Sequence, residues 1–311
     1  MSKVQIVAEG GVNHGGKLAT ALALVEVAIK AGADVVKFQL YQTEKLVTPS
    51  HPDFAMLKRL ELDYDSFGQL FHYCRVRRIE FLVSVFHTEA VAIAEDVRAV
   101  GAMTTRPTLA RLKIPSGELT NLPLIEAVAK AGFPVIISTG MAKISEVEAA
   151  IETYEAHRTP GCNIDAILHC TSEYPALAAD ANLRAMETLR LAFGYPVGLS
   201  DHTLGWEVAV AAVALGATMV EKHLTLSRSM EGPDHKSSLD PNEFAEMVKA
   251  IRNVEAALGD GRKRPTAAEG AMAERSRKKL VAAQDIPQGA VITEGMVTRM
   301  RAEGGLENDK L

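Results

Sequence analysis

Eight short runs rich in valine, isoleucine and leucine, each apolar on both faces, recur along the chain with helix-spaced segments between them. They are VQIVAE (4–9), DVVKFQ (34–39), EFLVSVF (80–86), RLKIPS (111–116), PVIIST (134–139), DAILHCT (165–171), PVGLSD (196–201) and TMVEKHL (218–224). A strand without a polar face cannot lie in a sheet that meets water, so these strands predict a parallel sheet covered by helices. A count of eight β-α units favours closure into a (β/α)8 barrel. The competing architecture, an open doubly wound sheet, announces itself with a glycine-rich dinucleotide turn after the first strand. The turn here is GGVNHGG (10–16), which is not G-x-G-x-x-G, and no acidic residue ends the second strand.

The intervening segments include LATALALVEVAIKAGA (18–33), LIEAVAKAG (124–132), ISEVEAAIETYEAH (144–157) and LGWEVAVAAVALGA (204–217), several ending where glycine can close a helix. After the eighth strand, Asp240, Pro241 and Glu243 form a helix start: an acceptor at the N-cap, proline at the first position, a carboxylate at the third. The barrel is therefore expected over 1–258. Residues 259–278 (GDGRKRPTAAEGAMAERSRK) are charged, small and turn-rich and read as a linker. Residues 279–311 change texture to short β runs with Pro-Gln-Gly and Gly-Gly turns, too few to bury a core alone. They are expected to dock on the barrel or on another subunit, or to be the front of a longer domain.

A net charge of −5 leaves no broad basic surface for nucleic acid or anionic lipid, which turns attention to small-molecule chemistry. The longest apolar run, VAVAAVALGATMV (208–220), is shorter than the roughly 18–20 residues of a membrane span. MSKVQIVAEG lacks the apolar stretch of a signal peptide and reads as a first strand. Cys74, Cys162 and Cys170 form neither a disulfide framework nor a zinc motif, so a reducing, cytoplasmic setting is expected.

In such a barrel the chemistry sits at the C-terminal ends of the strands. Those ends carry Glu9, Lys37 with Gln39, Ser84, Lys113 with Ser116 and Glu118, Ser138 with Thr139, Thr171 with Ser172, Ser200 with His202, and Glu221 with His223. Strand alternation points Ser200 and His202 one way and Asp201 the other, and likewise groups Glu221 with His223. Strands seven and eight are neighbours in a sequential barrel, so His202 and His223 should meet at the rim, with Asp234 in reach. Two imidazoles and a carboxylate suit Mn²⁺, Fe²⁺ or Zn²⁺ better than Ca²⁺. The plain alternative makes one histidine a hydrogen-bonded core residue.

Lys37 and Lys113 each interrupt an apolar strand, and a buried ammonium group needs an anionic partner. That partner is either an internal carboxylate, Glu9 or Glu221, or a ligand phosphate or carboxylate helped by Ser116, Ser138 and the backbone amides of STGM (138–141). A Schiff-base lysine is a third reading. Of the other histidines, His14 in the glycine turn could line the site and His235 could support it. His51, His72 and His157 read as surface or helix residues, His169 as a core residue, and Trp206 as packing.

AEGGVNHGG (8–16), VVKFQLYQTEKLVTP (35–49), LKIPSGELTNLPLIEAVAKAGFPVIISTGM (112–141), LHCTSEYP (168–175), VGLSDHTLGWEVAVAAVALGATMVEKHLTL (197–226) and GPDHKSSLDP (232–241) together resemble the sialic acid synthase family, the N-acetylneuraminate synthases. The resemblance runs in order over almost the whole chain. It implies a (β/α)8 barrel followed by a small antifreeze-like (SAF) domain, and condensation of phosphoenolpyruvate with the open-chain aldehyde of an N-acyl hexosamine, such as N-acetylmannosamine or a related diacetamido sugar. It makes His202 and His223 the ligands of a divalent metal, Mn²⁺ first and Mg²⁺ or Co²⁺ second, with Asp234 near metal and sugar. It gives phosphoenolpyruvate to Lys37, Ser84, Lys113, Ser116, Ser138 and Ser200, the sugar to Gln39, Glu118, Ser172 and Tyr174, and the attacking water to Glu9. It also implies a homodimer in which Arg301, with Arg299 as rival, reaches the neighbouring subunit's site.

The sequence departs from that family in three places. Strand three reads LVSVFH (82–87) in place of a Ser-Thr-Pro-Phe-like turn, the connection GAMTTRPTLARLKIP (101–115) is longer than usual, and the C-terminal part is about half an SAF domain, without the Arg-Pro-Gly context of its arginine. Two rivals stay open beside the synthase: a Schiff-base aldolase on the same barrel, and a non-catalytic sugar- or phosphate-binding protein.

Overall fold

The computed structural model describes residues 3–102 and 109–307, which fall into two units, one ending at Leu258 and one beginning at Gly259. Residues 103–108 of the long connection before the fourth strand lie outside the described residues.

The first unit runs β1 Gln5–Gly11, α1 Leu18–Ala31, β2 Val35–Leu40, α2 Thr43–Leu46, α3 Phe54–Leu60, α4 Tyr64–Arg77, β3 Glu80–Val85 and α5 Thr88–Ala102. It continues with β4 Leu112–Ile114, α6 Leu122–Lys130, β5 Val135–Ser138, α7 Ile144–His157, β6 Ile164–Cys170, α8 Ala185–Phe193, β7 Val197–Asp201, α9 Glu207–Ala214, β8 Met219–His223 and α10 Pro241–Leu258. The eight strands close a barrel in sequence order, β8 pairing back onto β1 in parallel, as the alternation predicted.

Two apolar layers hold it together. Outward residues such as Ile6, Val36, Phe38, Val83, Ile137 and Leu199 pack against the buried stripes of the helices, including Leu24 and Ala28 of α1 and Phe244 and Met247 of α10. Inward, Val7, Val35, Leu82, Ile136, Ala166, Leu168 and Met219 fill the barrel below its polar rim. α10 begins as its sequence predicted: Asp240 Oδ1 accepts from the amides of Asn242 and Glu243 at 2.9 and 3.0 Å, and the Asp240 amide donates back to Glu243 at 3.0 Å. No helix among the described residues is long and apolar enough to cross a membrane.

The second unit holds helix α11 Ala267–Ser276 and an antiparallel pair, β9 Lys279–Ala282 with β10 Val297–Met300. The helix corrects the reading of 259–278 as a linker. Thr266 Oγ1 accepts from the Glu269 amide while Glu269 accepts from the Thr266 amide, a reciprocal cap that starts a helix in a segment whose charge suggested none. The short β runs expected after 279 are present as β9 and β10.

Candidate active site

The barrel register places the inward polar residues side by side. Glu9 of β1 lies opposite Lys37 of β2 on one side and His223 of β8 on the other. Gln39 pairs with Ser84, Ser84 with Lys113, Cys170 with Ser200, and Ser200 with Glu221. Together with Ser116, Ser138, Ser172, Tyr174 and His202 they line one cavity of about 330 Å³ at the C-terminal mouth.

At its base, Lys37 Nζ stands 2.8 Å from Glu9 Oε2 and 2.9 Å from Glu221 Oε1. Lys113 Nζ meets the same Glu221 oxygen at 2.5 Å, and Ser200 Oγ donates to it at 3.0 Å. Of the partners the sequence left open for the lysines, the internal carboxylates are therefore in contact. Burial pulls the Lys37 ammonium down to about 7, against the attraction of Glu221 and with the repulsion of Lys113. Burial disfavours the Glu221 carboxylate too, but Lys113 and Lys37 outweigh it and hold the group ionised well below the usual carboxylate range. Glu9 Oε1, Glu221 Oε2 and Ser138 Oγ are buried with no hydrogen-bond partner. Such groups, costly to leave unmatched, fit a site that completes its bonds with a ligand.

Above them the two histidines converge, their ring centroids 5.5 Å apart. His202 Nδ1 lies 2.8 Å from the Thr171 carbonyl oxygen and donates to it, so Nε2 is the nitrogen a cation would take once its proton is lost; burial opposes the imidazolium, but Cys170 and the Thr171 carbonyl outweigh it and raise the ring above its ordinary value. His223 Nδ1 is buried without a hydrogen-bond partner, 3.6 Å from Asp234 Oδ2. Burial, reinforced by His202, keeps His223 neutral, the form that can ligate a cation. Burial pushes the Asp234 carboxyl up to about 6, with His202 pulling the other way. No three His, Cys, Asp or Glu side chains among the described residues converge as a metal site. The nitrogen donors at the mouth are therefore the two imidazoles alone, His202 through Nε2 and His223 through its unbonded Nδ1. Tyr174 covers His202, its ring centroid 4.1 Å away.

Glycine is required beside this cluster. Gly11 has φ +48°, and a Cβ there would stand 3.1 Å from Glu9 Oε1 and 3.2 Å from Asp234 Oδ2. At Gly140 a Cβ would collide with Ser172 Oγ at 2.1 Å, and the Gly140 amide donates to Ser116 Oγ at 3.0 Å.

Residues 24–263 match the NeuB family. The chain belongs to that family. It is 38% identical to the N,N'-diacetyllegionaminic acid synthase of Campylobacter jejuni, over 98% of this chain and 92% of that protein. It is 34% identical to the N-acetylneuraminate-9-phosphate synthase of Homo sapiens, over 94% of this chain and 82% of that protein. Among solved structures, the N-acetylneuraminic acid synthetase of Leptospira borgpetersenii superposes with a TM-score of 0.78 at 34% identity, covering 88% of this chain and 91% of that one. This NeuB protein is accordingly an enzyme, a transferase that forms carbon–carbon bonds, of the sialic and nonulosonic acid synthase family.

Most of the residues singled out from the sequence meet in the NeuB cavity, but not all. Glu118 is not among its lining residues; it sits in the 3-10 turn after β4, where its carboxylate accepts from Asn121 Nδ2 at 2.7 Å. Arg301 follows β10 in the second unit, its Nε donating to the Ser276 carbonyl at 3.0 Å, and Arg299 lies within β10. His14 lines a separate cavity of about 640 Å³ with Lys17, Arg59 and Met230, and burial lowers it to about 4. His235 is buried and bonded to Thr225 Oγ1 at 2.7 Å, and His169 to the Ala181 carbonyl at 2.7 Å.

The cavity also takes in Phe86, Met141 and Cys170, whose side chains sequence reasoning passed over. Cys170 could have been found, since it alternates in step with the inward Leu168. Its Sγ lies 3.7 Å from His202 Nδ1. Met141 was marked only through its backbone, as the last residue of STGM; its backbone takes φ +65° and its side chain is exposed.

Proposed function

We propose that the enzyme condenses phosphoenolpyruvate with the open-chain aldehyde of an N-acyl hexosamine, N-acetylmannosamine or a diacetamido relative, to give a nonulosonic acid and phosphate. The observation that carries this reading is the pair of buried ammonium groups on one Glu221 oxygen, next to the unpartnered Ser138 hydroxyl. Such a cluster suits a phosphate and a carboxylate on one small molecule. Lys37, Lys113, Ser84, Ser116, Ser138 and Ser200 receive it, while Gln39, Ser172, Tyr174 and Asp234 receive the sugar.

His202 and His223 would hold a divalent cation, Mn²⁺ by preference, which when bound supplies Lewis acidity to the aldehyde oxygen. The methylene carbon of phosphoenolpyruvate bonds to the aldehyde carbon, whose oxygen takes up a proton to become a hydroxyl, leaving positive charge on the carbon that bears the phosphate. Glu9, with Oε1 unengaged, takes a proton from the water that adds there. Collapse breaks the carbon–oxygen bond to phosphate, and the two ammonium groups stabilise the departing charge. The same reading makes residues 279–311 part of an SAF domain and the enzyme a homodimer in which Arg301 serves the neighbouring subunit's sugar site.

The test is phosphate release from phosphoenolpyruvate across a panel of N-acyl hexosamines, with and without Mn²⁺. Release that requires both the cation and one sugar supports the synthase. Release in metal-free buffer removes the role given to the histidines, and none with any sugar removes the reaction class.

A further inference from the structure

The residues that precede the two histidines form a pair of their own. Asp201 and Lys222 are partners in the β7–β8 register, one step beyond Ser200 and Glu221, and alternation turns them away from the cavity. Lys222 Nζ lies 2.7 Å from Asp201 Oδ2 and also donates to the Thr203 carbonyl. The other carboxylate oxygen, Asp201 Oδ1, accepts from the Thr203 amide at 2.9 Å and the Thr203 hydroxyl at 2.8 Å. His202 is thus enclosed between two residues that bond to each other and to Lys222, while Lys222 is joined by one peptide bond to His223. The backbone beyond is pinned as well, the Ala176 amide donating to the His202 carbonyl and the Leu239 amide to the His223 carbonyl.

Lys222 is 0% and Asp201 2% exposed. A buried ion pair gives little net stability over apolar side chains of similar volume, because desolvation offsets the attraction. Stability alone therefore does not account for a lysine and an aspartate at these two positions. Their geometry does: they tie the last turn of β7 to the end of β8 where the imidazoles must be held apart at a fixed spacing.

We propose that Asp201 and Lys222 are positioning residues that set the separation of His202 and His223 from behind the sheet. The inference rests on the reading of those histidines as cation ligands. Groups hydrogen-bonded to a metal's ligands change its affinity by roughly 10–100-fold when removed, and Asp201 and Lys222, which act through the backbone of the ligands and not on their rings, are expected at the low end of that range.

The experiment measures Mn²⁺ affinity by calorimetry on the full chain and on the double variant Asp201→Asn with Lys222→Met, which keeps the acceptor for Thr203 and the side-chain volumes but removes both charges. The expected result is Mn²⁺ binding weakened about 10-fold or more, with phosphoenolpyruvate binding in metal-free buffer within about twofold of the parent, since Lys37 and Lys113 are untouched. A general loosening of the barrel would weaken both ligands and overturns the proposal, as does parent-like Mn²⁺ affinity in the folded variant. If the double variant does not fold, Asp201→Leu with Lys222→Met, the apolar replacement of the whole pair, carries the same comparison with the same outcomes. Failure of the parent to bind Mn²⁺ overturns the cation reading and this inference with it, whereas equal binding by parent and variant overturns the inference alone.

Discussion

Glu9 and Lys37, neighbours across the β1–β2 register, meet 2.8 Å apart inside the barrel, and that contact occupies only one of the two carboxylate oxygens. The other, Oε1, lies beside Gly11 with no hydrogen-bond partner. Glu9→Gln keeps the shape and removes the proton acceptor. Phosphate release should fall by about 10²–10⁴-fold while phosphoenolpyruvate still binds, as read by steady-state kinetics beside calorimetry. A variant that turns over normally would take Glu9 out of the water step.

Glu221 separates two like charges. Glu221→Gln leaves Lys37 and Lys113 facing each other without the carboxylate both share, a loss of roughly 3–5 kcal/mol for a broken buried pair. The thermal midpoint should drop in phosphate-free buffer and recover in part when concentrated inorganic phosphate supplies the missing anion. The same drop in both buffers would mean that phosphate does not reach the lysines.

The Lys37 ammonium, lowered to about 7 chiefly by burial, is charged below that pH and neutral above it. Capture of an anionic substrate should therefore weaken as pH rises. The apparent KM for phosphoenolpyruvate is expected to climb between about pH 7 and 9, with kcat at saturation changing less. A flat KM over that range would assign the binding charge to Lys113 alone.

Removal of the cation should silence the enzyme without unfolding it. Chelation, His202→Ala and His223→Ala are each expected to abolish phosphate release and leave the circular dichroism melt close to the parent's. The Schiff-base rival makes the opposite forecast: activity that survives chelation, and borohydride trapping of pyruvate on Lys37 or Lys113 detectable by mass.

Far from the site, Asp240→Ala should cost about 1 kcal/mol through the lost cap of α10, a shift of about 2–4 °C in thermal midpoint, with kcat unchanged.

The barrel was legible because its signal repeats: each of the eight strands is apolar on both faces, and the polar residues that interrupt them fall at the ends that become the mouth. The partners of Lys37 and Lys113 were not, since Glu9 and Glu221 are equally plausible in one dimension and only the closure of β8 onto β1 brings both to Lys37. Glu118 shares its 3-10 turn with Ser116, which does line the cavity, but its carboxylate accepts from Asn121 Nδ2, a local contact that spacing along the chain does not reveal. Helix α11 escaped notice because its charge and small residues mimic a linker, although the Thr266–Glu269 cap was readable. Asp201 was visible beside His202, but the purpose of an outward carboxylate depends on the lysine it meets, and that meeting is set by strand register.

The apolar plug of Val7, Val35, Leu82, Ile136, Ala166, Leu168 and Met219 seals the far end of the barrel, so traffic has one doorway. Lys37 at 4% exposed lies deep in that passage, and Tyr174 at 50% stands near its threshold. A ligand on the lysines and one at Tyr174 would therefore share a single entrance, the first lying deeper than the second.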